Sequence, residues 1–155
     1  MVVSGSGAQL DELAHTLFDV VTQFCLSVPR GRRRSGDLKE IEFLTLSLLH
    51  QRETLIVGDI QRQLGVLPAQ MSRIIRALEN RDRPLIACRI NSQDKRKIDV
   101  ALTPAGISAF QEYQSTRVQT IALLLAKLAE EDLDDLSRLL GRLHEVLAVR
   151  SVVLA

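Results

Sequence analysis

Residues 94–106 run Asp94-Lys95-Arg96-Lys97-Ile98-Asp99-Val100-Ala101-Leu102-Thr103-Pro104-Ala105-Gly106, and they constrain the fold more than any other tract. A basic turn leads into a strand whose Ile98, Val100 and Leu102 alternate with other residues. The strand meets Thr103-Pro104, a helix N-cap followed by a residue whose missing N–H is harmless in a first turn. Upstream, Leu85 to Ile90 shows the same alternation at Ile86, Cys88 and Ile90, with the polar Asn91-Ser92-Gln93-Asp94-Lys95-Arg96 between the two strands. Together they predict a hairpin with a basic tip.

Just before this hairpin the period changes from two to 3.6. Val57 to Leu64 predicts a short helix closed by Gly65, which adopts left-handed geometry without a steric penalty. A second helix opens at Pro68 and places Met71, Ile74, Ile75 and Leu78 at i, i+3, i+4 and i+7. Its other face carries Ala69, Gln70, Ser72, Arg73 and Arg76. Two helices joined by a glycine turn and followed by a basic hairpin make a helix-turn-helix with a β-wing. Leu55-Ile56 adds a very short strand in front of it.

Helices flank this device. Leu10, Leu13, Leu17, Val20, Val21, Phe24 and Val28 form a stripe over residues 8–28, behind a flexible leader at 1–7. Pro29 to Gly36 reads as a loop carrying Arg30, Arg32, Arg33 and Arg34. Asp37, with Glu40 three residues on, predicts the start of a helix to His50, apolar nearly all round and so buried. After Thr103 a long helix runs through Ile107, Phe110, Val118, Ile121, Leu124, Leu125 and Leu128. A last one opens on Glu130-Glu131-Asp132, charges that suit a helix N-terminus. Its Leu133, Leu136, Leu139, Leu140, Leu143 and Leu147 approach a heptad seam, and the apolar tail from Val149 to Ala155 is expected to pack.

Charge sorts with these elements. The net charge is only +1, yet residues 62–97 hold nine Lys or Arg against three acids. Residues 112–145 hold four basic residues against seven acids. A basic surface on the helix-turn-helix and wing suits a polyanion. Aromatics make up 3% of the chain, so the core is built from Leu, Ile, Val and Ala.

Other functions are disfavoured. The two cysteines, Cys25 and Cys88, lack CxxC spacing, and His15, His50 and His144 are dispersed, so neither a metal site nor a disulfide scaffold is expected. There is no Walker loop, GxGxxG or nucleophile elbow, hence no expected catalysis and no expected cofactor. No stretch approaches the roughly 18 apolar residues of a membrane span, and the N-terminus lacks signal-peptide character. A cytoplasmic protein is expected.

The chemistry of the two exposed elements points to duplex DNA. An α-helix fits the major groove, where Gln pairs with adenine, Arg with guanine, and Ser bonds a base or a phosphate. The wing's Lys95, Arg96 and Lys97 suit the phosphate backbone or a narrow minor groove. Asp94 makes sense there if it accepts a hydrogen bond from a neighbouring Arg and fixes its direction. The plainer alternatives are a solvated helix face and an ordinary polar turn.

The tract from Leu55 to Gly106 resembles the MarR family of bacterial winged-helix regulators. Asp94-Lys95-Arg96 with Val100, Leu102-Thr103 and Gly106 is similar to that family's wing and exit. Leu64-Gly65-Val66, Ser72-Arg73 and Leu78-Glu79 are similar to its helix-turn-helix. Leu67 stands where a capping Ser is usual, Gln61 where Ala is usual, and Arg81-Asp82-Arg83-Pro84 makes a longer link than usual. The resemblance implies a mainly α fold with a small β-wing: one domain over 1–155, with dimerisation helices at 8–28 and 104–155 around a DNA-binding lobe at 37–103. It implies a homodimer on a palindromic operator, Arg96 in the minor groove, and a small-molecule effector bound between dimer helices and winged lobes. A transcriptional repressor is the expected function. Alternatives from other classes are a winged-helix protein-interaction module and a purely structural helical dimer. One branch of the family senses hydroperoxides through a first-helix Cys near tyrosines, which makes Cys25 a redox candidate. The sole tyrosine is Tyr113, and Cys25 is expected to be inert packing.

Overall fold

The computed structural model describes residues 4–27 and 37–153, with side chains at 7–27 and 37–149. The expected arginine loop at 29–36 and the end of the apolar tail lie outside the described residues. The elements in order are α1 (Ser4–Ser27), α2 (Glu40–Arg52), β1 (Thr54–Ile56), α3 (Val57–Leu64), α4 (Pro68–Glu79), β2 (Ile86–Ile90), β3 (Ile98–Leu102), α5 (Pro104–Leu125) and α6 (Glu130–Val153). This is a mainly helical fold with a three-stranded antiparallel sheet. Two compact units divide the chain: residues 29–117, and residues 1–28 with 118–155. The division falls inside α5, so that helix's first turns belong to the winged unit.

The winged unit has a sealed core. Leu46 and Leu49 of α2, Ile60 of α3, Met71, Ile74 and Leu78 of α4, Ile86 of β2, Val100 of β3 and Phe110 of α5 are all buried. Each comes from the apolar stripe of its element. The helix α2 is less enclosed than its composition suggests, because Leu44 is 44% exposed. The sheet has the order β1-β3-β2. Leu55 pairs with Val100 on one side of β3, and Cys88 pairs with Val100 on the other. Strand burial falls off towards the tip: Ile86 and Val100 are buried, whereas the paired Ile90 and Ile98 are exposed.

Two helix starts differ from the sequence reading. The helix α1 begins at Ser4, so most of the expected leader is helical. Extending an existing helix through Gly5 and Gly7 needs only propagation, not a new nucleus. The helix α2 starts at Glu40 with Lys39 at its N-cap, not at Asp37. The Lys39 backbone N–H donates to Glu42 Oε2 at 3.0 Å, and Arg81 Nη2 donates to the same oxygen at 3.0 Å. An ion pair from a residue 39 positions away therefore selects Glu42, not Glu40, as the capping acid. Lys39 offers no side-chain acceptor, so only half of a capping box is built.

The start of α5 follows its signature. Thr103 Oγ1 accepts from the Gly106 N–H at 3.0 Å and donates to the Pro84 carbonyl at 2.5 Å. Gly106 is required by a close approach: a Cβ there would lie 1.9 Å from the Leu85 carbonyl oxygen. That carbonyl also accepts from the Thr103 N–H at 3.1 Å. Along α2 and α5, Phe43 stacks on Phe110 and on Tyr113, with centroids 5.4 and 4.2 Å apart. The Arg117 guanidinium lies over the Tyr113 ring and donates to its hydroxyl at 2.6 Å.

The second unit comprises α1, the distal part of α5, and α6. None of its described residues is buried. Leu13, Leu17 and Phe18 of α1 and Leu139, Leu140, Leu143 and Leu147 of α6 are all exposed. Val149, expected to pack, is 66% exposed. Cys25, also expected to pack, is exposed. The expected stripe is present, but the apolar periodicity that marks it does not say what covers it.

Candidate nucleic-acid interface

The turn between α3 and α4 is built as its residues require. Gly65 takes φ 64° and ψ 33°, and the Gly65 and Val66 N–H groups donate back to the carbonyls of Arg62 and Gln61, each at 3.3 Å. Met71, Ile74 and Leu78 sink α4 into the core, and this fixes which side faces out. Ala69, Gln70, Ser72, Arg73 and Arg76 are all exposed. The Ser72 hydroxyl donates to the Pro68 carbonyl at 3.1 Å, leaving its lone pairs available to accept. The Arg81–Glu42 ion pair ties the link beyond α4 back to α2, with Glu42 almost wholly buried.

The wing tip is ordered by its own side chains. Asn91 Oδ1 accepts from the N–H groups of Gln93 and Asp94, both at 2.9 Å, and Asn91 Nδ2 donates to Asp99 Oδ1 at 2.9 Å. The Asn91 N–H closes the hairpin on the Lys97 carbonyl at 2.9 Å. Asp94 Oδ1 then accepts from the Arg96 N–H at 3.0 Å and from Arg96 Nε at 3.1 Å, while Oδ2 accepts from Nη2 at 3.3 Å. The acid thus aims the Arg96 side chain, which stays 90% exposed. Hydrogen bonds from the Arg96 side chain and backbone, with the nearby Lys97 charge, hold the Asp94 carboxyl below its ordinary value. Lys95 and Lys97 are exposed beside it.

One feature needs the tertiary structure to be found. An open groove of about 650 Å³ runs between the start of α3 and the tip side of the wing. Ile56, Val57 and Ile98 contribute apolar walls, while Arg62, Arg96 and Lys97 contribute cations. Arg62 is ion-paired to Asp59 one turn earlier. It is one of the basic residues that make this half of the chain positive, but no local pattern distinguishes it from a solvated cation. Asn91 stands in the sequence as one polar turn residue among several, although an Asn followed by polar residues is a recognisable Asx-turn signal.

The cysteines separate. Burial, together with the charge and hydrogen bond of Glu79, pushes the Cys88 thiol above its ordinary value, which keeps it protonated and unreactive at neutral pH. Cys25 lies in the other unit. Among the described residues no cluster of three or more His, Cys, Asp or Glu could hold a metal ion. No described helix is long and apolar enough to cross a membrane.

Residues 38–98, from just before α2 to the first residue of β3, match the sequence model of the MarR family. Over that winged segment the chain is similar to the MarR family. It is 28% identical over 104 residues to the HTH-type transcriptional repressor MdtR of Bacillus subtilis, a match covering 67% of this chain and 66% of that protein. The chain therefore spans just under two thirds of that relative. The crystal structure of YusO from Bacillus subtilis superposes with a TM-score of 0.66 at 22% identity, over 92% of this chain and 99% of the other. BpsR of Bordetella bronchiseptica, whose DNA binding is regulated by 6-hydroxynicotinic acid, superposes with a TM-score of 0.61 at 20% identity, over 86% and 98%. At such identities the two structures speak to the fold alone, which this chain shares with both.

Proposed function

We propose that this protein is a MarR-type, sequence-specific, double-stranded DNA-binding transcriptional repressor that acts in the cytoplasm as a homodimer on a palindromic operator. The observation that carries the reading is the division of labour on α4: Met71, Ile74 and Leu78 anchor one face, and Gln70, Ser72, Arg73 and Arg76 are left to reach base edges. The wing supports it with an Arg96 that Asp94 aims before any partner arrives. Two-fold symmetric sites require a second copy, and the exposed apolar stripes of α1 and α6 supply a surface for one. MdtR is named a repressor, and DNA binding by BpsR responds to a small molecule; release by a small-molecule effector is the matching proposal here.

The test separates base reading from backbone neutralisation. Fluorescence anisotropy would compare an operator duplex with a scrambled one at several salt concentrations. Gln70→Ala and Arg73→Ala should each cost ~1–3 kcal/mol per half-site on the operator and little on scrambled DNA. Arg96→Ala should weaken both duplexes similarly and flatten the slope of log K against log salt by about one unit for each phosphate it no longer neutralises. Equal losses on both duplexes for Gln70 and Arg73 would remove α4 as the reader. Retention of a purified protein partner, with no retention of DNA, would favour an interaction module instead.

A further inference from the structure

Among the described residues Leu67 is the most exposed of the large apolar side chains, at 74%, and it occupies the N-cap of α4 with φ −73° and ψ 154°. Its side chain makes no capping hydrogen bond, so the position forgoes the stabilisation that Ser, Thr, Asn or Asp would give. It belongs neither to the core nor to the partly buried shell packed on it. Pro68 and Ala69 follow it, also exposed, and the polar reading face begins immediately afterwards at Gln70, with Arg73 one turn on. The entry of α4 is therefore a short apolar ledge bordered by an amide and a cation, and the first turn holds no acid.

We infer that Leu67, with Ala69 beside it, is a specificity-determining contact that reads the C5-methyl group of a thymine in each half-site. The inference rests on the DNA-binding reading above and deepens it. Helix-turn-helix proteins present the N-terminal residues of the recognition helix to base edges. The thymine methyl is the apolar feature that distinguishes one base from the others at the floor of the major groove. An exposed leucine in that place cannot pair with donors or acceptors, so a methyl group is the chemistry it can distinguish. Gln70, next along the ledge, has the amide that pairs with adenine. A protein partner fits less well, because the ledge runs only from Leu67 to Ala69 and is bounded by Gln70 and Arg73.

Duplexes would first be selected from a random pool with the full-length protein. Each thymine of the enriched half-site would then be replaced singly by deoxyuridine, which deletes the methyl and leaves base pairing intact. One substitution should weaken binding about fourfold per half-site, the worth of one buried methyl-sized group. In Leu67→Ala and Leu67→Ser the thymine and deoxyuridine duplexes should bind alike. Leu67→Ser should at the same time raise the thermal midpoint, since it restores a cap; stability and discrimination moving in opposite directions is not expected of a structural residue. Enriched duplexes that are indifferent to every methyl, or discrimination that survives in both variants, would overturn this inference while leaving the DNA-binding reading intact. A pool that enriches nothing would overturn that reading and this inference together.

Discussion

The two units of this chain use similar aliphatic side chains in opposite ways. In the winged unit the stripes of α2, α3 and α4 meet each other and the sheet, and Leu46, Ile60, Leu78 and Val100 are fully shielded from solvent. In the unit made by α1, the end of α5 and α6, no described residue is buried, and Leu140, Leu143 and Leu147 stay about half exposed. The first pattern closes on itself through short helices, a tight glycine turn and a sheet. The second is a set of long helices whose stripes are wider than their own neighbours cover. Contiguous exposed apolar surface of this kind marks an interaction site. The winged unit's stability is thus intramolecular, whereas the helical unit of the proposed homodimer depends on a second copy.

The strongest way to break that contrast is to charge the exposed stripe. Leu140→Glu with Leu143→Glu should give a monomer at micromolar concentration by sedimentation, while far-UV circular dichroism stays helical. Operator affinity should fall by about 10²–10⁴-fold, the advantage of linking two half-site contacts in one molecule. A double variant that remained dimeric would place the interface elsewhere. Unmutated protein sedimenting as a stable monomer would remove the homodimer altogether.

A pair of glycine substitutions sharpens the same contrast at lower amplitude. Gly106→Ala drives a Cβ to within 1.9 Å of the Leu85 carbonyl oxygen, at the junction of α5 with the sheet. Overpacking of that kind costs about 1–3 kcal/mol or more, enough to outweigh the helix-propensity gain of up to about 1 kcal/mol. Gly141→Ala in α6 meets nothing within 4 Å, so the propensity gain should stand. Urea unfolding would report both. Destabilisation by Gly106→Ala and stabilisation by Gly141→Ala are expected; the reverse sign at Gly106 would contradict the close approach.

The contrast also explains what can be read from the sequence. Val57–Leu64 and the start of the next helix at Pro68 are legible to the residue because Gly65 and Pro68 punctuate the chain by their own backbone chemistry. The Asp94–Arg96 clamp is legible because its partners are two residues apart. The start of α2 is not, because Glu42 is chosen by Arg81, which lies far off in sequence. The groove beside α3 is not, because Ile56 and Ile98 meet only after β1 pairs with β3. Cys25 and Val149 look like packing residues from the apolar neighbours along their helices, a pattern that is the same whether a stripe faces its own core or solvent. Whether the exposed side chains of α4 touch bases is a property of a complex, and composition and spacing alone can only nominate them.

The smallest expected effect tests how the wing is held. The Asp94 carboxyl is lowered by hydrogen bonds from Arg96, so the folded form binds its proton more weakly than the unfolded chain does. By linkage, the clamp's contribution to wing order is fully present above the ordinary carboxylate value near 3.8 and is lost as pH falls through the lower folded value. From about pH 5 to pH 8 the contribution should not change, and NMR of the Asp94 carboxyl carbon and the Arg96 Nε–H in free protein should titrate together only in acid. Asp94→Asn should then separate two opposing consequences. If the turn faces phosphates as proposed, removing a negative charge from it strengthens attraction to any duplex. Loosening Arg96 weakens whatever depends on its direction. Scrambled DNA should therefore bind slightly tighter and the operator no tighter, narrowing their ratio. A variant that gained equally on both duplexes would show that Asp94 acts through charge alone and that the aim of Arg96 does not matter.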